Sequence, residues 1–170
     1  VTIRQIRKQK GTTNMDNQLL HTPEGVRDIY REECLKKIAV QDGIKKVFHL
    51  FGYEDIETPT FEFFDIFNKE RGSVTTQEMF KLFDRDNNTL VLRPDMTPAI
   101  ARCVAKYFMD SQAPLRLCYR ARTFINNSSY QGRLKETTQT GAEMIGEDSP
   151  EADAEMIAMV VTALKSAGLK

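Results

Sequence analysis

The segment from Thr89 to Arg102, TLVLRPDMTPAIAR, constrains the fold of this chain more than any other. Its first residues form a short apolar run, which fits a part-buried strand. Pro94 lacks the backbone donor that a central strand needs, so we expect the strand to end there. Thr97 followed by Pro98 is typical of a helix start, with threonine as N-cap and proline at the first helical position. The segment therefore predicts a strand, a tight polar turn and a helix.

This turn places three polar side chains, Arg93, Asp95 and Thr97, between a strand end and a helix N-terminus. Crevices of this kind hold polar ligands, because unpaired N–H groups and a few side chains converge in them. Spacing alone favours a simpler role, in which Asp95 and Thr97 only cap the helix.

Two long strands are predicted after this helix, over 114–124 and 134–146. Side chains alternate between the two faces of a strand. In the first strand, one face carries Leu115, Leu117, Tyr119 and Ala121, and the other carries Arg116, Cys118, Arg120 and Arg122. In the second, Thr137, Gln139, Gly141 and Glu143 share a face. Gly141 leaves room for a ligand or a backbone to approach.

The remaining patterns predict an α+β domain. A helix is expected from an Asp28 N-cap to a stop at Gly52, followed by a strand over 53–61, a hairpin over 79–93 and a last helix from Pro150. One buried face of the first helix is predicted to hold Ile29, Tyr30, Cys34, Ile38, Ile44, Val47, Phe48 and Phe51. Long neighbouring strands with hairpin-like loops favour an antiparallel sheet covered by helices on one side.

Composition limits the function classes. A chain of 170 residues can bury one sizeable core, which we place in residues 17–170 after a flexible basic tail over 1–16. A net charge of zero argues against a general nucleic-acid binder, although the basic tail leaves RNA binding open as a hypothesis. No apolar run approaches the roughly 20 residues of a membrane span, and no secretory signal is visible, so a cytoplasmic location is expected.

Cysteine and histidine patterns predict neither a metal site nor a cofactor. Cys34, Cys103 and Cys118 are scattered without a Cys-x-x-Cys pair, which argues against both a disulfide framework and a zinc site. His21 and His49 lack metal-type spacing. Glycine-rich phosphate loops are also absent from the sequence, and no serine or cysteine stands beside a candidate histidine base.

The acidic residues leave two interpretations open. If Asp95 and Glu143 face one cavity, two buried carboxylates without a cation would cost several kcal/mol, and a ligand ammonium would relieve that cost. Gln139 both donates and accepts, which suits a neutral imidazole or an amide. In the alternative, Glu143 pairs across the strands with Arg120 or Arg122, and no ligand is involved.

Four segments carry a family resemblance: TPEGVRD at 22–28, the strand ending in Pro59, LRPDMTPAIAR at 92–102 and ETTQTGAEMIG at 136–146. Together they resemble the histidyl-tRNA synthetase-like family, and within it the regulatory subunits of ATP phosphoribosyltransferase more closely. The resemblance implies a class II aminoacyl-tRNA synthetase-like antiparallel sheet flanked by helices. It also implies a histidine-like pocket lined by Asp95, Thr97, Gln139 and Glu143, with Arg120 in the place of the synthetases' motif 2 arginine.

The functional expectations follow from that resemblance. It implies a regulatory subunit without catalytic residues, which binds histidine as feedback effector and activates a short catalytic ATP phosphoribosyltransferase chain, the first enzyme of histidine biosynthesis. A homodimer within a hetero-oligomer is implied, with neither tRNA nor membrane as partner. Residues 17–170 would be the N-terminal portion of a longer domain. The alternative is a truncated histidyl-tRNA synthetase core that forms histidyl adenylate. Arg122 stands where synthetases place an adenine-reading acid, which counts against it.

Overall fold

The computed structural model describes residues 20–68, 74–127 and 132–170, so the predicted tail over 1–16 lies outside the described residues. Three helices and six strands follow one another in these ranges. In chain order they are α1 (Arg31–Leu50), β1 (Glu54–Asp55), β2 (Phe61–Phe63), β3 (Lys81–Phe83), β4 (Thr89–Leu92), α2 (Thr97–Tyr107), β5 (Leu115–Phe124), β6 (Glu136–Ile145) and α3 (Pro150–Ser166).

The strands form two small sheets rather than the single antiparallel sheet that the sequence predicts. The first has the order β1-β5-β6, with β5 and β6 antiparallel over ten residue pairs and β1 parallel to β5. The second has the order β2-β4-β3 and is antiparallel throughout, which confirms the hairpin predicted over 79–93. The strand predicted over 53–61 is split, because Pro59 cannot donate to a ladder and the chain passes there from one sheet to the other.

Helices cover both faces of the first sheet, not one. The odd-numbered face of β5 packs on α2, in a core cluster of Met96, Ile100, Val104, Leu117 and Tyr119. The even-numbered face packs on α1 and α3, in a cluster of Val47, Phe48, Tyr53, Cys118, Met159 and Ala163. Because α2 also packs Ala99 against Val91 of the second sheet, this helix lies between the two sheets. Its first turn is therefore fixed in position on both sides.

Helix α1 begins later than the sequence predicts. Its N-cap position is Tyr30, without a side-chain cap, so Asp28 does not have the expected capping role. Gly52, with a φ of 81°, follows the C-cap residue as predicted. Only the last turns of the predicted apolar face are buried: Val47 and Phe48 are, whereas Tyr30 is 68% exposed. No helix in the described ranges has the length and apolar character needed to cross a membrane.

Arg93 joins three segments around the polar turn. Its side chain is buried and donates hydrogen bonds to the carbonyl oxygens of Thr58 (2.6 Å), Pro59 (3.0 Å) and Arg122 (2.9 Å). Its own carbonyl accepts from the Phe124 N–H at 3.0 Å. The sequence suggested a residue that lines a crevice, but the guanidinium is used to hold the backbone.

Candidate functional site

The polar turn between β4 and α2 presents two of the predicted site residues. Thr97 is the first residue of α2 and Met96 occupies the N-cap position, so the predicted threonine cap is wrong by one residue. Asp95 accepts a hydrogen bond from the Met96 N–H at 2.7 Å, and it does not cap the helix through a side-chain bond. The Thr97 hydroxyl donates to Glu143 Oε1 of β6 at 2.7 Å. A purely capping role is therefore excluded for Thr97.

The residues predicted on β6 lie on the face toward α2. Gln139, Gly141 and Glu143 are paired with Ala121, Tyr119 and Leu117 of β5, whose side chains pack toward α2. The alternation predicted for both strands is thus confirmed. The turn and the second strand bring Asp95, Thr97, Gln139 and Glu143 to one side of the sheet.

Arg120 does not join this group. It belongs to the even-numbered face of β5, where its Nη1 donates to Asp42 Oδ1 of α1 at 2.6 Å. Arg122, on the same face, pairs with Glu136 at 2.5 Å. The strand alternation separates both arginines from Glu143. Arg120 thus lies on the face away from the other predicted site residues, and the alternative in which Arg120 or Arg122 neutralises Glu143 is wrong.

The two acids lie near each other without a matching cation. Within residues 20–68, 74–127 and 132–170, neither Asp95 nor Glu143 forms a salt bridge. Burial raises the pKa of Glu143, the Thr97 hydroxyl lowers it and the charge of Asp95 raises it again. Such a carboxylate is stabilised by any cation that enters between it and Asp95.

Gln139 adds an unpaired acceptor to the same face. Its Oε1 is buried and has no hydrogen-bond partner in the described structure. A buried acceptor left without a donor costs about 1–3 kcal/mol. The site therefore offers two carboxylates, a hydroxyl and an amide oxygen, all of which accept hydrogen bonds. This combination favours a ligand that carries a positive charge and additional N–H donors.

Tyr119 is a site residue that sequence reasoning missed. It is buried opposite Gly141, and burial together with the charges of Glu143 and Asp95 raises its pKa to about 12. A Cβ added at Gly141 would lie 2.5 Å from the Tyr119 hydroxyl oxygen and 2.7 Å from Cζ. The space left by the glycine is thus taken by the tyrosine, rather than by a ligand or a backbone. A glycine directly opposite an aromatic residue was the available signal.

Gly141→Ala is expected to destabilise the chain by about 1–3 kcal/mol, because the new methyl group overlaps the Tyr119 ring. Equilibrium urea unfolding measures this change. In the Tyr119→Leu background the same substitution should cost much less. An equal cost in both backgrounds would mean that the ring is not the obstacle.

The raised pKa of Glu143 predicts a pH dependence. Unfolded, the group titrates near the ordinary value of 4.5, whereas folded it keeps its proton to higher pH. Between these two pKa values the folded state binds more protons, so this residue lowers the free energy of unfolding as pH rises. Glu143→Gln should abolish that component. Urea unfolding of both proteins from below pH 4.5 to neutral pH should give a stability difference that grows with pH in favour of the variant.

An open cavity of about 500 Å³ lies elsewhere, between β1, the start of β5 and the end of α2. Ile56, Cys103, Tyr107 and Leu117 are among its lining residues. None of the predicted site residues lines it. The cluster of Asp95, Thr97, Gln139 and Glu143 is thus identified as the candidate site by its chemical groups, not by the size of a cavity.

Comparisons of the sequence with a family model and with curated proteins point to related families. Residues 25–170 match the family model described as histidyl-tRNA synthetase. Two curated relatives, from Acetivibrio thermocellus and Ruminiclostridium cellulolyticum, are named ATP phosphoribosyltransferase regulatory subunit. They are 46% and 44% identical to this chain over 89% and 92% of its length. The chain spans only 36% and 37% of the length of these relatives.

Solved structures agree with the sequence relatives. A structure from Bacillus halodurans, described as an ATP phosphoribosyltransferase regulatory subunit/histidyl-tRNA synthetase, has a TM-score of 0.81 and 40% identity over 89% of this chain and 39% of its own. The apo histidyl-tRNA synthetase of S. aureus has a TM-score of 0.73 and 30% identity over 88% of this chain and 35% of its own. The predicted class II synthetase-like α+β fold is confirmed. The chain belongs to the histidyl-tRNA synthetase family.

Proposed function

We propose that this chain is part of a regulatory subunit of ATP phosphoribosyltransferase and that the acidic site binds histidine. The names of its relatives support the first statement. The second rests on one observation: Glu143 is held by Thr97 beside Asp95, on the α2 face of the sheet, and no cation of the described residues pairs with it.

Histidine matches the donors and charges that this site requires. Its α-ammonium would lie between Asp95 and Glu143, where it relieves the repulsion that raises the pKa of Glu143. Its imidazole N–H would donate to the unpaired Oε1 of Gln139. The two carboxylates and the amide oxygen of Gln139 then each face a donor. A free amino acid whose side chain has no hydrogen-bond donor would leave Gln139 unsatisfied.

The arginines support a non-catalytic role. Adenylate formation needs positive groups that stabilise phosphate oxygens. Arg120 is engaged by Asp42 on the opposite face of the sheet, and Arg122 has a 68% exposed side chain paired with Glu136. Among the described residues, neither of these arginines reaches the acidic face. Binding without chemistry is thus favoured over histidyl adenylate formation.

Regulation would require that histidine bind one state of a larger assembly better than another, because only differential affinity shifts an equilibrium. The partner in this proposal is a short catalytic ATP phosphoribosyltransferase chain in the cytoplasm, which the regulatory chain activates and histidine inhibits. The regulatory chains would form a homodimer within that hetero-oligomer. Neither tRNA nor a membrane has a part in it.

Calorimetric titration of L-histidine into the chain tests the binding step. The unmodified protein should bind, and Gln139→Leu should weaken binding by about 1–3 kcal/mol because the imidazole loses its acceptor. Gln112→Leu, at an exposed position, is the matched control and should bind as the unmodified chain does. Absence of histidine binding would contradict the proposal. Histidine-dependent exchange of pyrophosphate into ATP would instead favour the synthetase alternative.

A further inference from the structure

Three side chains of metal-binding type meet on the even-numbered side of the first sheet. His49 comes from the last turn of α1, Asp55 from β1 and Cys118 from β5. Asp55 and Cys118 are direct partners in the parallel pairing of β1 with β5. The candidate ligand atoms of the three residues all lie within 4.8 Å of one another. The long sequence separations explain why no motif spacing predicts this group.

The two separations that involve Asp55 match those of a tetrahedral zinc site. The Asp55 Oδ1 atom is 3.4 Å from His49 Nε2 and 3.5 Å from Cys118 Sγ. Zinc bonds of about 2.0–2.3 Å at a tetrahedral angle place neighbouring ligand atoms about 3.3–3.6 Å apart. Both distances fall in that range without any movement of the backbone.

Exposure suits a site that opens to solvent, whereas a neighbouring lysine competes with a metal ion for one of the ligands. The side chains of His49 and Asp55 are 48% and 55% exposed, whereas Cys118 is fully buried and forms the floor. Lys45 Nζ lies 2.7 Å from Asp55 Oδ1 and occupies the position of a counter-ion. Burial, helped by Asp55, raises the pKa of the Cys118 thiol to about 11, so an incoming metal has to displace its proton.

We propose that His49, Asp55 and Cys118 bind one Zn²⁺ ion, with a water molecule as the fourth ligand. The Cys118 proton leaves to solvent, a zinc–thiolate bond forms, and the Lys45 ammonium turns away from Asp55. Neutral imidazole, thiolate and carboxylate are the ligands that zinc prefers. This site is separate from the acidic face and stands independently of the histidine proposal.

Titration of the metal-free chain with Co²⁺, followed by competition with Zn²⁺, tests the site. Bound Co²⁺ should show a thiolate-to-metal charge-transfer band and the visible bands of a four-coordinate ion. Cys118→Ser and His49→Ala should each weaken Zn²⁺ binding more than about tenfold, since loss of even an outer-shell partner costs 10–100-fold. Lys45→Met should tighten it by about tenfold, because a competing positive charge is removed.

The chain offers matched controls. Cys103→Ser and His21→Ala should leave Zn²⁺ affinity unchanged, and Cys34→Ser should as well. Because Cys118 is in the core, the exposed His49 provides the variant that tests the site without disturbing folding. The proposal would be overturned if the unmodified chain showed no thiolate band, or if Cys103→Ser lost that band. It would also be overturned if Zn²⁺ affinity were unaltered in both His49→Ala and Lys45→Met.

Discussion

Replacing Glu143 with alanine is expected to weaken histidine binding by about 2–5 kcal/mol, the range for removing one partner of a buried charge pair. Glu143 is partly buried, accepts from Thr97 at 2.7 Å and lies near Asp95. None of the described residues forms a salt bridge with Glu143. The ammonium group of a bound histidine would therefore be its positive partner. Isothermal calorimetry at neutral pH measures the change directly.

Glu136→Ala is the control for this measurement. Glu136 lies on the same strand but on the opposite face, where it pairs with Arg122. It should leave histidine affinity unchanged. Glu143→Ala should also keep or increase the stability of the unliganded chain, because it removes an uncompensated charge. Equal affinity of the Glu143 variant and the unmodified chain would remove this carboxylate from the site.

Arg93→Met is expected to lower the free energy of unfolding by about 3–5 kcal/mol. The buried guanidinium donates to three backbone carbonyl groups, of Thr58, Pro59 and Arg122, and these acceptors would lose a charged donor. Methionine fills most of the volume, so the change reports the hydrogen bonds more than a cavity. Chemical denaturation followed by circular dichroism gives the value.

Arg122→Met provides the comparison for Arg93. Its side chain is 68% exposed and makes a surface ion pair with Glu136, so the substitution should change stability by no more than about 1 kcal/mol. A similar loss for both arginines would mean that burial of the Arg93 side chain contributes little.

The sequence predictions that the structure confirms were based on local patterns, namely the alternation of side chains along strands and the signals for a helix start. The alternation of β5 and β6 assigned Gln139 and Glu143 to one face, and the proline-containing turn placed Thr97 at the start of a helix. The same alternation already placed Arg120 on the other face, among even-numbered residues of β5. The family resemblance gave it a role in the pocket, whereas the structure places it on the opposite face, paired with Asp42.

Contacts between distant segments could not be predicted in this way. The division into two sheets depends on where Pro59 directs the chain, and a single strand pattern does not specify its partner. The packing of Tyr119 against Gly141 depends on cross-strand register. His49, Asp55 and Cys118 come together only because β1 pairs in parallel with β5. Strand β1 has two residues, which is too short for a sequence pattern to predict that pairing.

The position of the polar turn has a consequence for recognition. Arg93 anchors the turn to three carbonyl groups on one side, and Met96 and Ile100 are fully buried on the other. Asp95 and Thr97 are therefore presented by a backbone that is already ordered before a ligand arrives. Little loop entropy remains to be lost on association, so differences in affinity between related amino acids should reflect their chemical groups rather than the work of shaping the site.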